Sequence, residues 1–273
     1  MHRKPTACPC TSAIVRGLLA LAVLGLSPLA LAQEDQTATG ASSGSSASSA
    51  QRAADTGAFS AWNMTARSNT QRTVGRVVGG YDGAADKAVM DSIVEAQIMD
   101  RAALRAGVAY LPTSDGFGLR VDGKLDALRQ EAHGLDLAIA AGYQSTGFNE
   151  VPAVAANLAV GRSLGRLQLL ANVGYGRGIE EAEQYGNAGV TGLYRVTNDV
   201  QVGVDSRFRL DLERDADEPP GERDWDLMAG PQATVTVGSF AVTGGGGMAA
   251  NQLRLDPEVN VGALVYLGVG AAF

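Results

Sequence analysis

Two histidines and two cysteines are all that this 273-residue chain offers for nucleophilic or metal chemistry. Cys8 and Cys10 precede an apolar run at 17–26 (GLLALAVLGL) and fall, with His2, in a segment with the layout of an export leader. Without that leader no disulfide, thiol nucleophile or cysteine metal site remains. His133 is then the one mature histidine. It sits in an expected turn between Leu128 and Leu135, where an imidazole is usually just solvated. A nucleophile–base pair has no ready base, and a zinc site lacks ligands. The run at 244–247 (GGGG) is not followed by the Lys-Ser/Thr of a phosphate loop. It reads instead as a place where a strand bends or a neighbour approaches closely. The sequon-like Asn63-Met64-Thr65 reads as a chance match. No catalytic residue, cofactor or metal site is expected, and the chain does not read as an enzyme.

A second set of polar residues is organised by spacing. Arg105, Arg120, Asp122, Lys124, Gln168, Asn172, Arg195, Asp205, Arg207, Arg209, Asp211 and Asp226 fall on the polar parity of alternating segments. The clearest segment is 200–212 (VQVGVDSRFRLDL). There Val200, Val202, Val204, Phe208, Leu210 and Leu212 share one parity, and the charges share the other. Period two over that length specifies a strand with one apolar and one charged face. The same rhythm recurs at 117–125, 135–143, 167–175 and 225–237, and more weakly at 104–110, 154–160, 188–194 and 240–248.

Several segments exceed the usual five or six residues of soluble strands and reach the length that a tilted strand needs to cross a bilayer. The connections alternate in length. Tight turns are expected at 99–101, 163–165, 197–198 and 238–239, and longer loops at 176–184, 213–223 and 250–258. Short turns on one side and long loops on the other are the layout of a membrane barrel. Residues 102–273 supply ten strands. A further hairpin, 73–81 with 89–98 across a loop at 82–87, makes twelve and keeps the count even. The alternative is ten strands plus a helix over 84–98, where Val89, Ile93 and Val94 also form a helical stripe. Twelve is preferred, so the fold class is all-β, an antiparallel up-and-down transmembrane β-barrel.

The N-terminus sets the address. Arg3, Lys4 and Arg16, the apolar run and Ala30-Leu31-Ala32 have the three-part layout of a signal peptide covering 1–32. No cysteine follows the apolar run, which argues against a lipid anchor. Residues 33–69 are Ser/Ala/Gly-rich, notably 36–56 (QTATGASSGSSASSAQRAADT), and read as a flexible periplasmic linker. The barrel is expected over 70–273. Removing the three basic charges of the leader takes the formal net charge from −7 to −10. That balance disfavours nucleic acid as a partner.

In the last segment Val259, Val261, Ala263, Val265, Leu267, Val269, Ala271 and Phe273 share one parity, and Phe273 ends it. This resembles the terminal strand of bacterial outer-membrane β-barrel proteins of the porin-like class, in which a final aromatic serves as the assembly signal. The resemblance implies an outer-membrane location, outer-membrane lipid and the barrel assembly machinery as partners, and an assembly role for Phe273. It names no subfamily.

Barrels of about eight strands are filled by side chains, and those of sixteen or more leave a channel. Twelve lies between. The expectation is a passive, narrow pore for small solutes, lined by the twelve polar residues above. Mouth loops carrying Glu180, Glu181, Glu183, Asp215, Asp217 and Glu218 would give it a modest cation preference. The alternatives are a non-conducting structural or adhesive barrel with acidic loops, and a translocator whose N-terminal segment threads the pore.

Overall fold

The computed structural model describes residues 61–67, 73–111, 116–145, 152–179, 183–212, 223–253 and 256–273. All of them lie in the compact unit Ala47–Phe273. The expected signal peptide and most of the expected linker lie outside the described residues.

Twelve strands form one closed sheet. They are β1 (Thr73–Asp82), β2 (Lys87–Met99), β3 (Ala102–Tyr110), β4 (Phe117–Leu128), β5 (Asp136–Gln144) and β6 (Ala153–Leu164). After them come β7 (Leu167–Gly178), β8 (Gln184–Arg195), β9 (Val200–Asp211), β10 (Trp225–Val237), β11 (Phe240–Leu253) and β12 (Asp256–Ala272). Each strand pairs antiparallel with its sequence neighbours, and β1 pairs with β12 to close the ring, Val74 opposite Ala272 and Asp82 opposite Leu264. Closure leaves no sheet edge, the condition for strands to cross a hydrocarbon layer with their backbone groups satisfied. Residues 84–98, the alternative helix, form the β1–β2 hairpin instead. Extended pairing there satisfies the backbone of both strands, and β2 goes on to pair with β3.

Alternation assigns the faces. On β12 Val259, Val261, Val265, Leu267 and Val269 are exposed, while Leu264 and Tyr266 are buried. On β4 Phe117, Leu119, Val121 and Leu125 face out, and Asp122, Lys124 and Asp126 are buried. An apolar outer band around a polar interior is the pattern of a transmembrane barrel. In water the same band would be a large uncovered apolar surface.

The tight turns gather at the end of the barrel that also holds Thr73 and Phe273. Gly165 and Gly238 take positive φ, 59° and 61°, as the first residues of two-residue turns that join β6 to β7 and β10 to β11. The hydroxyl of Thr197 accepts hydrogen bonds from the backbone N–H groups of Asp199 and Val200 in the β8–β9 turn. A single helical turn, α1 (Gln130–His133), carries His133 between β4 and β5 and ends at Gly134, φ 76°.

Two connections differ from expectation. The turn expected at 163–165 lies at Gly165 and Arg166, because β6 continues to Leu164. The long loop expected at 250–258 shrinks to residues 254–255, because β11 runs to Leu253 and β12 starts at Asp256. Pro257 falls at the second residue of β12, and proline is tolerated near the start of a strand.

The glycine run at 244–247 also has a place. The β10–β11 ladder pairs Ala229 with Met248 and Gln232 with Gly245 and skips Gly230 and Pro231. A Cβ on Gly247 would come 2.2 Å from the carbonyl oxygen of Ala229. Proline cannot donate to the ladder, and glycine opposite it lets the two backbones close the gap.

Candidate functional site: the barrel lumen

The inner parity of the strands builds a wall of paired charges. The Nε of Arg105 on β3 donates to Oδ1 of Asp122 on β4 at 2.6 Å, between residues that stand directly opposite in register. One layer nearer the turn end, Nζ of Lys124 donates to both carboxylate oxygens of Glu95 on β2 at 3.1 Å. Across the lumen, Asp226 on β10 takes Arg207 at 2.8 Å and Arg209 at 3.5 Å, both from β9. Arg76 on β1 faces Asp91 on β2 at 3.5 Å. Charges held this deeply persist only when paired and hydrogen-bonded. The ladder register brings most partners together because opposite residues on neighbouring strands share a face.

Two tyrosines narrow the wall further. Tyr266 on β12 lies against Gly245 on β11, and Tyr185 on β8 lies against Gly176 on β7. A Cβ on either glycine would meet the ring at 2.3 Å. The small inner parity therefore makes room for aromatic rings inside the barrel rather than leaving the space open.

The lumen also contains its own chain. Residues 61–67 pack inside the ring. Asn63 donates from Nδ2 to Oδ1 of Asp205 at 2.7 Å, to the hydroxyl of Thr191 at 3.0 Å and to the carbonyl of Ser206 at 3.0 Å. The backbone N–H of Ala61 donates to Oδ2 of Asp205 at 2.8 Å. Trp62 meets the ring of Tyr266 edge-on at 5.4 Å, and the guanidinium of Arg207 lies 5.7 Å from the Trp62 ring. Lower down, Nζ of Lys124 donates to the Thr65 hydroxyl at 2.9 Å, and Arg67 pairs with Glu131 of α1 at the turn end. Gly189 accommodates the segment: a Cβ there would come 1.9 Å from Oδ1 of Asn63.

Several spaces lie among the described residues. A cavity of about 300 Å³ lies at the turn end between Arg67, Gln130, Asp136, Arg162 and Gln168. Around the segment are spaces of about 50 and 60 Å³, the second touching Trp62, Asn63, Asn157 and Asn172.

All twelve residues named as pore-lining candidates lie on the inner parity of their strands. Arg105, Asp122, Lys124, Asp205, Arg207, Arg209 and Asp226 are brought together in the networks above. Arg120, Gln168 and Asn172 line the remaining spaces, Asp211 is buried at the far end of β9, and Arg195 ends β8 at the turn rim. Glu183, set among the exposed mouth acids, is 6% exposed. Glu180, Glu181, Asp215, Asp217 and Glu218 lie outside the described residues. The sequence reading passed over Arg76, Asp91, Glu95 and Thr191, although each shares the inner parity of its strand. Residues 61–67, expected within the flexible linker 33–69 and with Asn63-Met64-Thr65 as a chance match, instead pack in the lumen. Among the described residues no group of three or more His, Cys, Asp or Glu could hold a metal ion.

No protein-family model matches the chain, and no curated protein does. Solved structures do. The NanC porin superposes with a TM-score of 0.52 at 7% identity, over 72% of this chain and 98% of that one. An outer membrane channel from Pseudomonas putida F1 gives 0.49 at 11% identity, over 74% and 95%. The β domain of a Bordetella autotransporter gives 0.39 at 14%, over 74% and 99%. At these identities the likeness is one of fold. A closed ring of twelve antiparallel strands, with an apolar outer band and paired charges within, makes this chain a transmembrane β-barrel that shares the fold of the NanC porin.

Proposed function

We propose that the barrel is a narrow passage for small solutes across the outer membrane, closed at rest by residues 61–67. One observation carries the reading. The inner wall holds charged pairs at several levels, beside an apolar cluster of Val78, Val89, Met228, Leu264 and Tyr266 around Trp62, and its axis is filled by a segment that belongs to no strand. A barrel meant only as a scaffold could fill its centre with the side chains of the wall. Here the filling is a stretch of chain joined to β1 by five residues, 68–72. The same barrel fold serves the NanC porin. Residues 1–32 act as a cleaved signal peptide, and the barrel assembly machinery inserts the mature chain into outer-membrane lipid. The acids at 180, 181, 215, 217 and 218 give the open pore a modest preference for small cations that fades as salt screens them over roughly 10 Å at about 0.1 M.

Planar-bilayer recording of the full chain beside a variant lacking 61–67 tests this. The variant should conduct and the full chain should be closed for most of the time. Silence from both, with the folded barrel verified by its gel mobility, would leave a non-conducting structural barrel. The small size of the spaces beside Trp62 and Asn63 favours that second reading.

A further inference from the structure

We propose that the wall around Asp205 is a peptide-binding socket that reads a Trp-Asn pair, filled in this chain by its own Trp62 and Asn63 and able to take the same sequence from a second copy. The proposal rests on the reading of 61–67 as a removable closure, and it adds what the lumen recognises.

The socket has separate features for each part of the pair. Asp205 is 2% exposed and uses both oxygens: Oδ1 accepts from the Asn63 side chain and from the Thr191 hydroxyl at 2.8 Å, and Oδ2 accepts from the Ala61 backbone. Thr191 and the Ser206 carbonyl complete the acceptors around the amide nitrogen of Asn63. Gly189 supplies the space for its oxygen, which any side chain would fill. An aspartate at the same position of the segment would set a carboxylate against Asp205. A leucine of similar volume would take the side-chain amide donor away from Asp205, and the loss of a buried hydrogen-bond partner is what makes polar sites selective. The indole has its own seat, in T-shaped contact with the Tyr266 ring and with the Arg207 cation on another side. Arg207 is itself oriented by Asp226.

None of these wall residues needs the segment to be covalently attached. The five-residue tether at 68–72 raises the local concentration of the segment to the millimolar range. The socket is therefore filled in cis by default, yet it is chemically indifferent to the source of the peptide. A free heptapeptide with the sequence of 61–67 (AWNMTAR) should bind wherever the tethered copy has been removed.

The test uses that heptapeptide carrying a fluorophore and the detergent-folded protein, each preparation checked for folded gel mobility. Fluorescence anisotropy should show saturable binding to the chain lacking 61–67. Binding to the intact chain should be at least about tenfold weaker, because the socket is occupied. A peptide with Asn63→Ala should lose about tenfold or more in affinity. If the deletion lowers the yield of folded barrel, the full-length double variant Trp62→Ala/Asn63→Ala serves in its place. Failure of the folded variants to bind, or equal binding of the two peptides, would overturn the socket. Peptide binding to a barrel that never conducts would keep the socket and remove the pore. Conductance on deletion without peptide binding would keep the pore and remove the socket.

Discussion

The side-chain amide of Asn63 and the carboxylate of Asp205, 142 positions apart in the chain, meet at 2.7 Å inside the lumen. A hydrogen bond to a charged acceptor is worth about 1.5–3 kcal/mol. Asn63→Ala should therefore shift the balance between seated and released segment by roughly ten- to hundredfold toward release, each tenfold being about 1.4 kcal/mol. Trp62 reports it, since the chain has two tryptophans and Trp225→Phe leaves Trp62 alone. Emission should move to longer wavelength in the alanine variant. An unchanged spectrum would mean that the amide does not hold the segment.

Arg105 and Asp122 make a different kind of contact, wall to wall, with both side chains at most 3% exposed. Asp122→Asn leaves the guanidinium buried opposite a neutral group. Breaking such a pair from one side costs about 3–5 kcal/mol. The temperature at which half of a gel sample loses folded mobility should fall clearly, whereas Leu119→Val on the outer face should barely move it. Equal midpoints would show that water reaches the pair and screens it.

Gly245 is where a glycine is needed for space rather than for its dihedral angles. Its neighbour Tyr266 carries the edge contact to Trp62. Gly245→Ala should push the ring aside and loosen the segment as well as the wall. Gly244→Ala, whose Cβ would meet only an ordinary contact 3.8 Å away on Leu267, should do neither. Protease sensitivity of 61–67 in the folded barrel compares the two. If they behave alike, the tyrosine does not depend on that space.

The contrast between wall and segment explains what the sequence disclosed. Each wall residue belongs to a run with period two, so the parity that puts Val204 outside also puts Asp205 inside. The pairing of Arg105 with Asp122 then follows from antiparallel register. The segment has no such period: Ala-Trp-Asn-Met-Thr-Ala-Arg sits at the end of a Ser/Ala-rich stretch, and its partners lie as far as 204 positions away, Trp62 to Tyr266. Trp62, one of two tryptophans in the chain, was the one local signal that this part of the tail had something to bury. Glu183 was misjudged for a related reason. Composition marks a loop as acidic but does not say which of its acids folds back against the barrel.

Phe273 closes the ring from the other side, its backbone N–H donating to the Thr73 carbonyl at 2.8 Å while its ring stays exposed. One terminal hydrogen bond is a small part of the β1–β12 ladder. Deleting Phe273 should therefore leave the thermal midpoint of barrels that do form nearly unchanged, and lower the amount inserted into the outer membrane with export unaffected. A normal yield would refute the assembly role. A cysteine at Asp217 should react with an impermeant reagent on intact cells, and one at Asn198, in the tight β8–β9 turn, should not. The reverse labelling would invert the barrel in the membrane.

At the turn end the segment is fastened by Arg67 to Glu131, whose carboxyl is held below the ordinary glutamate value by its own backbone N–H and then by the Arg67 guanidinium. Arg129 adds in the same direction, and Glu131 is also close enough to act on Asp136. A carboxyl with a lowered value in the folded state contributes fully above its ordinary value, about 4.3, and the contribution is lost as pH falls through the lowered one. The latch should therefore be unchanged across neutral pH and should release only in acid, below the ordinary glutamate range. The pair is largely open to solvent, so the effect is small, within about 1 kcal/mol, and weaker still in high salt. With Trp62 as the reporter, the acid-induced shift in emission should be smaller in Glu131→Gln, which has no charge to lose, than in the parent chain. The same shift in both would leave Arg67 and Glu131 as a contact without a hold on the segment.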